Sequence, residues 1–252
     1  PALTASPVAK VKMESSLPRI IAEIGTAHQG DIQKAEELIQ AAAESGADYA
    51  KFQTVFADEI VPANVGNLQL PGGTVPLYDR FKQLEKDADF YQQLQQICQK
   101  HDIEFLSSPF GIKSARILRG ISVSAIKVAS PELNHIELLQ EVREYDVPII
   151  LSSGVSQLSD IELAVQTISQ AKKCTPPIFL LHCITAYPAP EQEYNVRLIP
   201  LYASLFNVGV GVSDHSLDAE LVPALATAVG AQIIEKHITL SRLHNGLDDP
   251  IG

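Results

Sequence analysis

The sequence predicts an α/β fold, a closed parallel eight-stranded sheet of the (β/α)8 TIM barrel type, and three observations carry that prediction. Eight short β-branched apolar runs recur along the chain, each with polar residues at or near one end and all but the last followed by a helical segment. The runs are almost continuously apolar, the pattern of strands covered on both faces in a parallel sheet. The length, 252 residues, matches the roughly 250 that an eight-fold barrel needs. An open doubly wound sheet is the runner-up, but residues 25–30, Gly-Thr-Ala-His-Gln-Gly, do not fit the G-x-G-x-x-G fingerprint expected after its first strand.

Residues 1–18 are rich in Ala, Ser, Pro and Val without a sustained period and are expected to form a tail or plug, leaving 19–252 as the barrel. Strand one is predicted over 19–25 and its helix over 31–45, with Asp31 as N-cap and Gly46 as the stop. Strand two covers 49–55. Residues 56–86, holding Pro62, Pro71, Gly72, Gly73 and Pro76, read as one long irregular loop of the kind that carries function or moves. A helix over 87–101 leads to strand three, 104–110, and a short helix ends near Gly120. Strand four (124–130) precedes a helix over 134–145, and strand five (147–154) a helix over 159–172. Strand six is 178–183, followed by a helix over 197–206. Strand seven starts at Gly209 and closes in Ser213, Asp214 and His215. A helix over 218–229 separates it from strand eight, which begins at Ile233 and is interrupted by Glu235, Lys236 and His237. No helix is predicted between strand eight and Gly252, so the barrel is expected to lack its last helix or to be closed by other segments.

Composition narrows the function. With 46% hydrophobic and 19% charged residues, the chain is neither disordered nor fibrous. No apolar run reaches the ~18 residues of a membrane span, and no basic-then-apolar leader opens the chain, so a cytoplasmic protein is expected. Thirty acidic against nineteen basic residues give a net charge of −11, which argues against nucleic acid as a partner. An anionic small substrate stays possible if a few lysines gather in one cleft. Cys98, Cys174 and Cys183 are odd in number and widely spaced, and read as reduced thiols.

The polar strand ends carry the candidate chemistry: Glu23, Lys51 and Gln53, Ser107 and Ser108, Lys127 and Ser130, Ser152 and Ser153, His182, Ser213 and His215, and Glu235 to His237. A lone ammonium in a buried strand costs several kcal/mol, so Lys51 and Lys127 need partners. Those partners are a bound phosphate or carboxylate, with serine hydroxyls beside it, or neighbouring carboxylates such as Glu23 and Glu235. His215 and His237, 22 residues apart on successive strands, suit a divalent metal with positions left open for water and substrate. The other reading of each is a hydrogen-bonded core histidine. Glu23 is a candidate general base or a partner of Lys51. His28 falls in a loop at the same end, whereas His182 is expected to face the helices.

Eight motifs in order support a closer reading: Ile-Ala-Glu-Ile-Gly with His-x-Gly, Ala-Lys-Phe-Gln, Phe-Leu-Ser-Ser-Pro-Phe, Lys-Val-Ala-Ser, Ile-Leu-Ser-Ser-Gly, His-Cys-x-x-x-Tyr-Pro, Gly-x-Ser-Asp-His and Glu-Lys-His. Over residues 19–249 the chain resembles the sialic acid synthase (N-acetylneuraminate synthase) family, with its relatives for bacterial nonulosonic acids and spore-coat polysaccharide. The resemblance implies condensation of phosphoenolpyruvate with an N-acetylmannosamine-like aldose, with release of phosphate and a divalent Mn2+ or Mg2+ ion. It implies that Lys51, Ser108, Lys127, Ser130, Ser152 and Ser213 hold phosphoenolpyruvate. His215 and His237 match the metal pair, and Glu23, Tyr187, Glu235 and Asp248 match positions around the sugar and the attacking water. It further implies a homodimer and a C-terminal antifreeze-like domain that this chain does not include. The chain departs from the family at Ala27-His-Gln-Gly30, Thr185 and Gly246-Leu-Asp248, all near the sugar. A Schiff-base aldolase using Lys127 or Lys51, and a non-catalytic barrel that binds a sugar or phosphate, are the alternatives.

Overall fold

Strand periodicity accounts for the architecture seen in the computed structural model, which describes residues 17–70, 73–243 and 249–252. Ten strands form: β1 (Arg19–Gly25), β2 (Tyr49–Thr54), β3 (Asn67–Leu70), β4 (Gly73–Pro76), β5 (Glu104–Pro109), β6 (Ile126–Val128), β7 (Ile149–Ser152), β8 (Ile178–Cys183), β9 (Gly209–Asp214) and β10 (Ile233–His237). Eight of them make one sheet in the order β5-β2-β1-β10-β9-β8-β7-β6, and every recorded pairing within it is parallel. β5 and β6 lie against each other, so the sheet rolls into a nearly closed barrel.

The surrounding helices are α1 (Ile32–Glu44), α2 (Ala57–Ile60), α3 (Leu77–Leu84), α4 (Ala88–Lys100), α5 (Ile112–Gly120), α6 (Ile136–Val142), α7 (Leu158–Ser169), α8 (Leu198–Phe206) and α9 (Leu221–Ala228). Asp31 caps α1 as predicted, accepting from the backbone N–H groups of Gln33 and Lys34 at 2.8 and 3.3 Å. After β10 the described residues hold only a short 3-10 turn, Asp249–Ile251. Among the described residues no helix is long and apolar enough to cross a membrane.

Alternation along the strands creates two cores. Outward-facing residues such as Ile24, Phe52, Phe105, Leu151 and Val212 join the helices in the larger one. Inward-facing Ile21, Leu106, Ala125, Ile150, Phe179, Leu181 and Ile233 form a smaller apolar plug inside the barrel. Two residues further along the same faces stand Glu23, Ser108, Lys127, Ser152, Cys183 and Glu235. The barrel is thus apolar at its floor and polar at the carboxyl ends of its strands.

The structure corrects the predicted loop over 56–86. This stretch contains α2, an antiparallel hairpin of β3 and β4, and α3. Four-residue strands are too short for a period-2 signal to separate them from a loop. Strand four is also shorter than predicted, because Pro131 follows Ser130 and the chain turns into a 3-10 helix at Ser130–Glu132.

Candidate active site

Lys51 points into the barrel mouth, where its Nζ donates to Glu23 Oε2 at 2.6 Å and lies 3.6 Å from Glu235 Oε2. Lys127 Nζ comes within 3.9 Å of the same Glu235 oxygen and donates to Ser152 Oγ at 2.6 Å and the Val128 carbonyl at 3.2 Å. The other oxygen of Glu235, Oε1, accepts from Ser213 Oγ at 2.9 Å. Gln53 Nε2 completes the ring of contacts by donating to Glu23 Oε1 at 3.1 Å. All four charged groups are buried. Of the two partners open to the lysines, a bound anion or neighbouring carboxylates, the structure shows the carboxylates, one within 4 Å of each ammonium.

The two carboxylates are pushed in opposite directions. Burial raises the pKa of Glu23; Lys51 opposes that shift without overcoming it, and Glu235 adds to it. Burial also acts upward on Glu235, but Lys127, Lys51 and the Ser213 hydroxyl outweigh it and hold the group at about 2. Burial lowers the pKa of Lys127, with Glu235 countering.

Next to this cluster lie the two imidazoles. The His215 and His237 ring centroids are 5.4 Å apart. His215 Nδ1 lies 2.7 Å from the Ile184 carbonyl oxygen, so Nδ1 carries the proton and donates there. That tautomer leaves the lone pair on Nε2, which lies 3.5 Å from Ser213 Oγ. His237 Nδ1 is buried without a hydrogen-bond partner, and burial, with help from His215, pushes this ring's pKa well down and keeps it neutral. A neutral imidazole with an orphaned nitrogen, beside a second one of fixed tautomer, has the donor chemistry of a pair of metal ligands. Among the described residues no group of three or more His, Cys, Asp or Glu side chains is arranged to hold a metal ion.

The remaining candidates surround this centre. Ser108 Oγ, on the inner face of β5, is buried with no hydrogen-bond partner. Ser130 Oγ accepts from the Gly154 N–H at 3.1 Å. Tyr187 is half exposed and stacks on His215 with ring centroids 4.3 Å apart. Asp248 lies outside the described residues. Facing separates the serine pairs: Ser107 bonds to Thr54 Oγ1 and Ser153 to the Leu181 carbonyl. Likewise Lys236 belongs to Asp214, at 2.6 Å. His28 and His182 stay apart from the cluster, His28 among Phe52 and Phe90 and His182 against Tyr194 and Tyr202. Two further residues reach His215: Cys183 Sγ lies 4.0 Å from Nδ1, and the Tyr194 hydroxyl accepts from the backbone N–H at 2.7 Å. Cys183 carried a signal, the inward parity of β8; Tyr194 lies in a loop and carried none.

Ammonium, carboxylate and imidazole groups at the carboxyl ends of parallel strands define the class: a (β/α)8 barrel with its site where such barrels hold their chemistry. The NeuB family model matches residues 38–252, and the chain belongs to that family. It is 36% identical over 235 residues to N,N'-diacetyllegionaminic acid synthase of Legionella pneumophila, covering 91% of this chain and 66% of that protein. It is also 36% identical over 231 residues to spore coat polysaccharide biosynthesis protein SpsE of Bacillus subtilis, covering 91% of this chain and 61% of that protein. The solved structure of N-acetylneuraminic acid (sialic acid) synthetase from Leptospira borgpetersenii matches with a TM-score of 0.84 at 33% identity, covering 94% of this chain and 79% of that one. The chain spans less than two thirds of the length of the two curated relatives.

Proposed function

We propose that the chain is the catalytic barrel of a synthase that condenses phosphoenolpyruvate with an N-acetylmannosamine-like aldose, giving a nonulosonic acid and phosphate. The observation that carries this reading is the convergence of two ammonium groups, 3.6 and 3.9 Å from one oxygen of Glu235, beside two imidazoles 5.4 Å apart. The relatives named as synthases support it. C3 of phosphoenolpyruvate bonds to the aldehyde carbon, water adds at C2, and phosphate leaves as the C–O bond breaks.

Lys51 and Lys127 offset the charge of phosphoenolpyruvate, and Ser108, Ser130, Ser152 and Ser213 give its oxygens directional hydrogen bonds. The buried, unpartnered Ser108 hydroxyl is a donor ready for such an oxygen. Glu235, held at about 2, stays ionised and keeps both ammonium groups in place. Glu23, raised by burial, is the carboxylate that exchanges a proton, and it takes one from the attacking water. His215 and His237 would hold the divalent cation, Mn2+ or Mg2+, which when bound supplies Lewis acidity to the aldehyde oxygen. Tyr187, stacked over His215, faces the sugar in this reading, and the family resemblance assigns Asp248 to the sugar as well. It extends to a cytoplasmic homodimer in which a C-terminal antifreeze-like domain, outside this chain, completes the sugar site.

Full-length protein given phosphoenolpyruvate, Mn2+ and a panel of N-acetylated aldoses is expected to release phosphate with at least one of them. Lys127→Met should lower kcat/KM by about 100-fold or more. No phosphate release across the panel overturns the reading. The lowered pKa of Lys127 favours one second reading, a Schiff-base aldolase, because a neutral amine is the nucleophile there. Borohydride trapping with pyruvate distinguishes the two: a covalent mass increase on Lys127 supports the aldolase, and an unchanged mass supports the condensation.

A further inference from the structure

Every polar group of His215 that the structure pairs outside the barrel goes to one segment, the connection from β8 to α8. The backbone N–H of His215 donates to the Tyr194 hydroxyl at 2.7 Å, and its carbonyl accepts from the Ala189 N–H at 2.9 Å. Its Nδ1–H donates to the Ile184 carbonyl at 2.7 Å, and Tyr187 covers the ring face. His237 shows the contrast, with its Nδ1 orphaned. Of these contacts, only those from Tyr194 and Tyr187 come from side chains, and Tyr187 is half exposed whereas Tyr194 is buried.

We propose that Tyr194 is a positioning residue for His215: from outside the barrel its hydroxyl pins the backbone just past β9, so that the imidazole is presented with Nε2 free to bind a cation. The inference rests on the reading of His215 and His237 as metal ligands and extends it to a side chain that touches neither metal nor substrate. Removing the hydroxyl leaves a buried N–H without an acceptor and lets the end of β9 shift. Phosphoenolpyruvate binding should be spared, because the groups assigned to it lie mainly on β2, β5, β6 and β7. Outer-shell partners of ligating histidines typically change metal affinity by about 10–100-fold.

The test is Mn2+ titration of the full-length protein by electron paramagnetic resonance, with phosphoenolpyruvate affinity measured separately by calorimetry. Tyr194→Phe is expected to raise the Mn2+ Kd by about 10–100-fold and to change the phosphoenolpyruvate Kd less than about two-fold. Tyr202→Phe removes a neighbouring buried tyrosine hydroxyl and is expected to leave both constants unchanged. In the wild-type protein the His215 amide should exchange as slowly as the amides of β9, a readout that does not depend on the variant folding. An unchanged Mn2+ Kd in a folded Tyr194→Phe protein, equal losses of both affinities, or fast exchange at His215 overturns the proposal. If the wild-type protein binds Mn2+ but His237→Ala binds it equally well, the metal-pair reading fails instead.

Discussion

Glu235 is where the charges of the site meet, and its surroundings say what its loss would do. Among the described residues it is the carboxylate within 4 Å of Lys127, and it shares Lys51 with Glu23. Glu235→Gln keeps the shape and the Ser213 contact but leaves Lys127 as a buried charge without its partner. Breaking a buried pair in this way costs about 3–5 kcal/mol, so the urea midpoint should fall clearly, and an unchanged midpoint would show that the ammonium groups are solvated. His28 gives a second prediction at this scale. Burial, with Lys86 and Lys34 adding to it, lowers its pKa to about 4, from 6.5 in the unfolded chain. Between those values the unfolded chain binds more protons than the folded one, so stability falls as pH drops from 6.5 to 4. The contribution is about 3 kcal/mol over that window. His28→Gln should flatten this part of the urea midpoint against pH, leaving the slope due to His182 and His237, whose pKa values are also lowered by burial.

At the scale of the element, facing decides which polar residues reach the barrel mouth, and that is where the sequence was readable only in part. Strand positions for Glu23, Lys51, Lys127, Ser213 and Glu235 followed from the apolar runs. The family resemblance singled out Ser108, Ser152 and Glu235, but the residues alone leave the choice between Ser107 and Ser108, Ser152 and Ser153, or Lys236 and its neighbours open, because it depends on which parity faces inward. The floor residues Ile21, Leu106, Ala125, Ile150 and Ile233 settle it once the barrel is closed, since each lies two positions before the polar residue that reaches the barrel mouth. The hairpin of β3 and β4 stayed illegible because four residues carry too little periodicity. The two imidazoles were legible as a pair, whereas the loop that orients His215 was not, because its hydrogen bonds are mostly to backbone.

Two glycines test how these elements are held. A Cβ at Gly211 would run into the Ile233 carbonyl across the β9–β10 pairing, and backbone cannot yield there without opening the barrel. Gly211→Ala should therefore destabilise by about 1–3 kcal/mol. Gly111 has an extended backbone, so alanine is not strained there, but its Cβ would displace the Glu59 carboxylate. That carboxylate caps α5 by accepting from the Lys113 and Ser114 N–H groups at 2.6 and 3.1 Å. Gly111→Ala should cost about 1 kcal/mol, a Tm lower by about 2–4 °C, and an unchanged Tm would mean that the cap contributes nothing.

Across the whole molecule, a chain of net charge −11 concentrates two buried lysines and two histidines at one end of its barrel. The apolar floor beneath them, from Ile21 to Ile233, keeps water from reaching the cluster from below and strengthens each electrostatic contact above it. Outside the barrel the net acidity would repel an anionic substrate, so its binding depends on the local field at the mouth. Crystals soaked with Mn2+ and phosphoenolpyruvate, with data collected at the manganese absorption edge, address that arrangement most directly. One anomalous peak is expected between the imidazoles of His215 and His237, with phosphoenolpyruvate oxygens within hydrogen-bond reach of Lys51 and Lys127. Manganese elsewhere, or an anion that contacts neither lysine, would contradict this expectation.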